Sequence, residues 1–212
     1  MNIVFDFGNV LFEWNPVRLI DEHFVQSPDS PMSTAVLADA LVTHQDWLDF
    51  DLGRSDAATV AERSAARLSL HRGHLQVFVE RIPHVLATID PTVALFNRLA
   101  DVVADTGAHR LLYLSNMPAP WASVLETRYP WIARFEGGIF SGRVDFAKPD
   151  AAIYALAEQS LNLLPAQTLF LDDSPRNVEA ARARGWTAEL ITDSQSTRDA
   201  LAKHGCCAEI PD

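Results

Sequence analysis

Asp6, Ser115, Asn116, Lys148, Asp172 and Asp173 are residue types that handle phosphate and divalent metal ions, and each follows or adjoins a short apolar run. Asp6, Asp172 and Asp173 supply hard oxygen ligands, which suit Mg²⁺ bound by a few carboxylates together with a substrate phosphate. Three carboxylates brought together repel one another unless a cation or Lys148 stands among them. Ser115-Asn116 offers a hydroxyl, an amide and free backbone N–H groups, a cradle for phosphate oxygens. Lys148 is placed to neutralise phosphate charge and hold the Asp6 carboxylate. Each feature also has a plainer reading. Asp172-Asp173-Ser174-Pro175 suits a helix cap with proline at the first position, Ser115-Asn116 suits a loop, and a lysine is most often solvated.

The elements that must carry these residues are set by the pattern around them. Ile3 to Phe5 is continuously apolar, as in a strand buried on both faces of a parallel sheet, and Asp6 then falls at its carboxyl end, where open α/β sheets bind ligands. Gly8 permits a sharp turn or a close backbone approach. Arg110–Leu114 and Thr168–Leu171 are further strands of this kind, ending at Ser115-Asn116 and Asp172-Asp173. Gly138–Phe140 and Ala188–Ile191 complete the set. Helices are predicted at 90–106, 121–128, 151–161, 175–184 and, capped by Ser196, to His204. Strands alternating with helices imply right-handed crossovers and a mostly parallel sheet.

Between the first strand and this regular region the periodicity is helical throughout. Asn15 caps a helix over 17–25 with Pro16 at its first position, and further segments cover 33–42, 45–52, 56–70 (capped by Ser55) and 75–86, interrupted by Pro83. The expected division is a core of residues 1–14 and 88–212 and an inserted all-helical cap of residues 15–87.

In order and spacing, Asp6-Phe7-Gly8-Asn9-Val10, Ser115-Asn116, Lys148-Pro149-Asp150 and Asp172-Asp173 resemble the four motifs of the haloacid dehalogenase-like (HAD) hydrolase superfamily. The Asp-x-Gly-Asn-Val reading is similar to that of its α-D-glucose-1-phosphate phosphatase-like subgroup. The resemblance implies an α/β Rossmann-like core with a helical cap. It also implies Asp6 as a nucleophile that forms an aspartyl-phosphate, with Mg²⁺ held by its other oxygen, the Gly8 carbonyl, Asp173 and the neighbouring Asp172. Ser115 and Asn116 would hold phosphate oxygens and Lys148 would balance charge. The departure is Gly8, where most phosphatases of the superfamily carry a second aspartate as acid and base. Glu13 is one substitute, its alternative being a surface or hinge carboxylate.

The expected function is therefore Mg²⁺-dependent hydrolysis of a small phosphorylated metabolite, plausibly a sugar phosphate; an anomeric one has a less basic leaving oxygen and tolerates weak acid help. A 2-haloacid dehalogenase and a catalytically weak binding protein are the competing readings. His44, Gln45, Trp47, Asp49 and Arg54 could meet the substrate, although Trp47 and Phe50 suit core packing equally.

Seventeen Lys+Arg against 28 Asp+Glu give a formal charge of −11, which argues against nucleic acid and anionic membrane as partners. Hydrophobic content of 48% without a bilayer-length apolar run fits a water-soluble α/β domain, monomeric or homodimeric. The start on a core strand without a leader, and the two adjacent cysteines Cys206 and Cys207, lead to the expectation of a reducing, cytoplasmic setting.

Overall fold

The structure is a computed structural model that describes residues 1–24 and 32–206. Five strands, β1 (Asn2–Phe5), β2 (Arg110–Ser115), β3 (Gly137–Phe140), β4 (Thr168–Asp172) and β5 (Thr187–Leu190), form one sheet in the order β3-β2-β1-β4-β5. Every pairing is parallel. β1 is therefore central, and the chain builds outward from it first to β2 and β3, then on the other side to β4 and β5. The carboxyl ends of β1, β2 and β4 lie side by side at the point where the winding reverses, the crevice in which such sheets bind ligands.

Successive side chains of a strand face opposite sides of the sheet, and both sides are covered. Val4, Leu112, Leu114 and Phe170 pack with Tyr154 and Ala157 of α8 (Ala151–Ser160) and Val178 and Ala181 of α9 (Pro175–Ala183). Ile3, Phe5, Leu111, Leu169 and Leu171 face the other way. They join Phe96 and Leu99 of α6 (Asp90–Thr106), Leu125 of α7 (Ala119–Arg128) and Leu201 of α10 (Ser194–Lys203). Burial on both sides explains why β1 and β4 read as unbroken apolar runs.

Between β1 and α6 the described chain is helical: α1 (Pro16–His23), α2 (Thr34–Val42), α3 (Gln45–Asp51), α4 (Ala57–Leu68) and α5 (Arg72–Val85). Leu37, Trp47, Phe50, Val60, Leu75 and Phe78 of this block belong to the same hydrophobic cluster as Ile3 and Phe5. The block thus has a core continuous with one face of the sheet. Among the described residues no helix is long and apolar enough to cross a membrane.

Most expected boundaries fall within two residues of those observed; the helix caps differ more. Asn15 does cap α1, accepting from Arg18 N at 3.0 Å, with Pro16 first in the helix. Asp56, not Ser55, caps α4: its carboxylate accepts from Thr59 N at 2.8 Å. Asp193, not Ser196, caps α10, and Ser196 is the reciprocal member of a capping box three residues on. Helix α5 begins at Arg72 and runs through Pro83 without a break, leaving one backbone hydrogen bond unmade. Val25, the expected end of α1, and Cys207 lie outside the described residues.

Candidate active site

Asp6 continues the ladder one residue past β1, its N–H donating to Leu171 O at 2.9 Å. The chain then turns sharply: Leu11 and Phe12 both donate their N–H to Phe7 O, at 2.9 and 2.8 Å, and Asn9 takes a left-handed backbone (φ +50°). This turn puts Asn9 beside the β4 edge. Its Nδ2 donates to Asp173 Oδ2 at 2.9 Å while its Oδ1 accepts from Trp14 N at 2.9 Å, so one side chain joins the turn, the start of the helical block and the second acid of the pair.

Lys148 sits between Asp6 and Asp172, with Nζ 2.9 Å from Asp6 Oδ1 and 2.6 Å from Asp172 Oδ2, all three side chains being buried. Asp6 Oδ1 also accepts from Phe7 N at 2.7 Å. No donor reaches Asp6 Oδ2 among the described residues. Asp172 is fully buried and saturated: Oδ1 accepts from Ser174 N (2.8 Å) and Asn177 Nδ2 (2.9 Å), and Oδ2 from Lys148. The sequence places a pair of acids here, and the structure gives the two separate jobs. Asp172 anchors the lysine, whereas Asp173 is half-buried with a single side-chain partner among the described residues, Asn9.

Ligand oxygens of Asp6, Asp172 and Asp173 all lie within 4.8 Å of one another. Their electrostatics show the cost of that crowding. Burial pushes Asp6 up to about 7, the Lys148 ammonium acts against this, and Asp172 and Asp173 add to it. Asp173 is raised by burial and by Asp172. Burial also works against the charged form of Lys148, but the attraction of Asp6 and Asp172 outweighs it and its pKa is raised. One lysine among three acids leaves a site short of positive charge, and hard oxygens at this spacing fit a divalent cation such as Mg²⁺.

Ser115 closes the other side of Asp6 from the end of β2, buried and lining the same cavity. Asn116 behaves differently from the expectation that its side chain cradles phosphate. Its Nδ2 donates to Lys148 O at 2.9 Å and its Oδ1 accepts from Lys148 N at 2.8 Å, so the amide is engaged in holding the lysine's backbone.

Above these residues lies a cavity of about 280 Å³, floored by Asp6, Gly8, Ser115, Lys148 and Asp173. Its upper wall is mainly apolar, formed by Val42, Trp47 and Leu86 of the helical block together with Phe12, Trp14 and Trp121. Of the five block residues proposed for substrate contact, only Trp47 lines it. His44 caps α3 and pairs with Asp46, Gln45 bonds Asp49, and Arg54 pairs with Asp145. Glu13 stands at the cavity rim with its carboxylate on Arg18 at 2.7 Å, as a hinge carboxylate would. Sequence reasoning missed Asp51, which lines the cavity from the last residue of α3. Its position one helical turn after Trp47 was the available signal.

A parallel sheet carrying a carboxylate after its central strand, a lysine-bridged acid pair beside it and a helical insert above defines an α/β fold with an acidic site at the sheet's carboxyl edge. Residues 1–185 match the family model described as haloacid dehalogenase-like hydrolase, and the chain belongs to that family. It is 25% identical over 195 residues to the sesquiterpene phosphatase astK of Aspergillus oryzae, covering 92% of this chain and 91% of that one. It is 33% identical over 141 residues to a CBBY-like protein of Arabidopsis thaliana, where the match spans 66% of this chain but only 43% of the relative. Among solved structures, the HAD family enzyme bt-2542 of Bacteroides thetaiotaomicron, crystallised with magnesium and inorganic phosphate, superposes with a TM-score of 0.66. That match is at 18% identity and covers 91% of this chain and 94% of that one. The L-2-haloacid dehalogenase of Xanthobacter autotrophicus superposes with a TM-score of 0.62 at 19% identity, covering 100% and 84%. Family membership makes the protein a hydrolase.

Proposed function

We propose that this hydrolase is a Mg²⁺-dependent phosphatase that releases phosphate from a small phosphorylated metabolite through a phosphoaspartyl intermediate on Asp6, in a core of residues 1–14 and 88–212 covered by a cap of residues 15–87. The observation that carries the reading is the unpaired Oδ2 of Asp6, held at the cavity floor while Oδ1 is fixed by Phe7 N and Lys148. An oriented carboxylate with one free oxygen is a nucleophile whose rotational freedom has already been removed. The free oxygen attacks phosphorus, the bond from phosphorus to the alcohol oxygen breaks, and that oxygen leaves with the electron pair and takes up a proton. Water then attacks the same phosphorus, the bond to Asp6 breaks, and phosphate leaves with the carboxylate restored.

Asp6, Asp173 and the Gly8 carbonyl are the groups that would hold Mg²⁺, with Asp172 orienting Lys148 beside them. The ion supplies Lewis-acid stabilisation of phosphoryl charge. Lys148 neutralises that charge from the protein side, and the Ser115 hydroxyl, which meets no partner among the described residues, is free to donate to a phosphate oxygen. The dehalogenase reading is less well supported, because a reaction at carbon gives the acid cluster no task.

The test is a screen of phosphorylated metabolites, sugar phosphates included, with and without Mg²⁺, alongside 2-chloropropionate. Metal-dependent phosphate release that disappears in Asp6→Asn supports the proposal. Halide release without phosphate release overturns it.

A further inference from the structure

The upper wall of the cavity holds one carboxyl among aromatic rings. Trp47 and Trp121 meet edge to face with ring centres 5.8 Å apart, and Trp14 lies 6.3 and 6.0 Å from them. Trp47 and Trp121 are 3% and 5% exposed, so these rings are walls rather than mobile surface groups. Asp51 projects from α3 into this setting and its carboxyl meets no donor among the described residues. Burial alone pushes it up to about 7. A half-buried acid in a mainly apolar cavity wall, with no donor among the described residues, is matched when a ligand in the cavity brings one.

Asp51 is also fixed in place. Ser141 Oγ donates to Asp51 O at 2.6 Å and accepts from Met117 N at 2.8 Å, and Met117 comes directly after Ser115-Asn116. The backbone of Asp51 at the roof is therefore registered against the Ser115-Asn116 end of the cavity through one hydroxyl. A sugar phosphate would present several hydroxyls to a wall that is mainly hydrocarbon and leave most of them unpaired.

Resting on the phosphatase reading, we infer that Asp51 selects the leaving group. The substrate is a phosphate monoester of a largely hydrocarbon alcohol that lies flat against Trp14, Trp47 and Trp121 and offers one hydrogen-bond donor to Asp51. A hydroxyl satisfies Asp51. An ammonium satisfies Asp51 and stacks on the rings as a cation.

The experiment uses the full chain with Mg²⁺ and four esters: phenethyl phosphate, its 4-hydroxy and 4-aminomethyl derivatives, and glucose 6-phosphate. In the unaltered protein at least one donor-bearing ester is expected to exceed phenethyl phosphate in kcat/KM by about tenfold or more, mainly through KM, with glucose 6-phosphate the poorest. In Asp51→Leu that ratio is expected to fall to near one. The better of the hydroxyl and ammonium arms names the donor. An unchanged ratio in Asp51→Leu, or glucose 6-phosphate as the best substrate, overturns the inference while leaving the phosphatase standing. Tryptophan fluorescence titration with the three free alcohols gives a readout that does not need catalysis. If no ester is turned over, the metabolite screen decides the phosphatase reading. The Asp51 inference then stands or falls on whether the donor-bearing alcohols bind about tenfold tighter than phenethyl alcohol and lose that advantage in Asp51→Leu.

Discussion

Asn116 and Lys148 hold each other by a reciprocal pair of hydrogen bonds, side-chain amide to backbone N–H and C=O, 32 residues apart in sequence. Through that pair the end of β2 sets where the ammonium of Lys148 stands between Asp6 and Asp172. On the proposed mechanism Asn116 acts as a positioning residue, and its removal should misplace a charge rather than delete one. Asn116→Ala is expected to lower kcat by about 10²-fold, since a shift of about 1 Å at a reacting centre costs that much, while KM changes less. Steady-state kinetics with p-nitrophenyl phosphate at saturating Mg²⁺ read the split. A rise in KM with kcat unchanged would return the amide to direct phosphate binding.

Lys148 itself is a harsher case. Its removal leaves Asp6 and Asp172 buried beside each other with no cation, and breaking a buried pair from one side typically costs about 3–5 kcal/mol. Lys148→Met should therefore unfold at markedly lower denaturant than the unaltered protein when metal is absent, and Mg²⁺ should recover part of the loss. Urea unfolding with EDTA and with Mg²⁺ measures both. Equal stability of the two proteins in EDTA would mean that the lysine does not carry the charge balance between these acids.

The acid cluster gives a pH dependence whose sign is fixed. Asp6 ordinarily titrates near 3.8 and is pushed to about 7 in the folded chain. Between those values the folded protein holds a proton that the unfolded chain has released. Stability of the metal-free protein is therefore complete below about pH 4 as far as this group is concerned, and is lost as pH rises through about 7. Mg²⁺ binds the ionised form, so the rise in melting temperature that it produces should be small near pH 5 and grow towards pH 8, values taken on either side of that titration. Thermal melts with and without the ion at both pH values test this. A metal shift that shrinks with pH would place the ion elsewhere.

The anchor points of the site were legible because they lie at strand ends: apolar runs locate β1, β2 and β4, and the residues just beyond those runs must meet at one edge. The partners that make the site work were not. That Asn116 bonds Lys148, that Asn9 bonds Asp173 and that Asn177 bonds Asp172 depends on loop paths, which no periodicity reports. Asp51 was overlooked for a related reason. At the end of a short helix among Asp46, Asp49 and Arg54, it looks like any solvated acid until the rings of Trp14 and Trp121, distant in sequence, are folded around it. The misplaced caps at Ser55 and Ser196 have a different origin, because Asp and Ser are near-equal caps and sequence does not choose between neighbours of that kind.

Gly8 can be tested by addition. A Cβ placed there would meet only Trp14 Cβ, at 3.7 Å, an ordinary contact. Its backbone lies outside the left-handed region, so a side chain brings no strain. Gly8→Asp is expected to fold and to raise turnover of alkyl phosphates, whose leaving oxygen needs a proton, by about 10²-fold or more relative to p-nitrophenyl phosphate. The fourth carboxylate should also lower the melting temperature in EDTA. The ratio of the two rates is the measurement, and no change in it would show that the proton already comes from another group.

The junction between α3 and the loop after β3 should behave as one clamp. Gly53 has a left-handed backbone (φ +73°), and a Cβ on it would come within 2.2 Å of Gly142 O, a backbone atom that cannot yield without moving the turn. Ser141, in the same turn, bridges Asp51 O and Met117 N. Ser141→Ala leaves the buried Met117 N–H unpaired, at a cost of about 1–3 kcal/mol, and Gly53→Ala forces the two backbones apart. Once one change has separated the surfaces, the second has less to break. The double variant should therefore be more stable than the sum of the single losses allows, by about 0.5–3 kcal/mol in urea unfolding. Additive losses would mean that the hydroxyl bridge and the glycine contact hold the helical block independently, and Asp51 would then be registered to the phosphate loop by Ser141 alone.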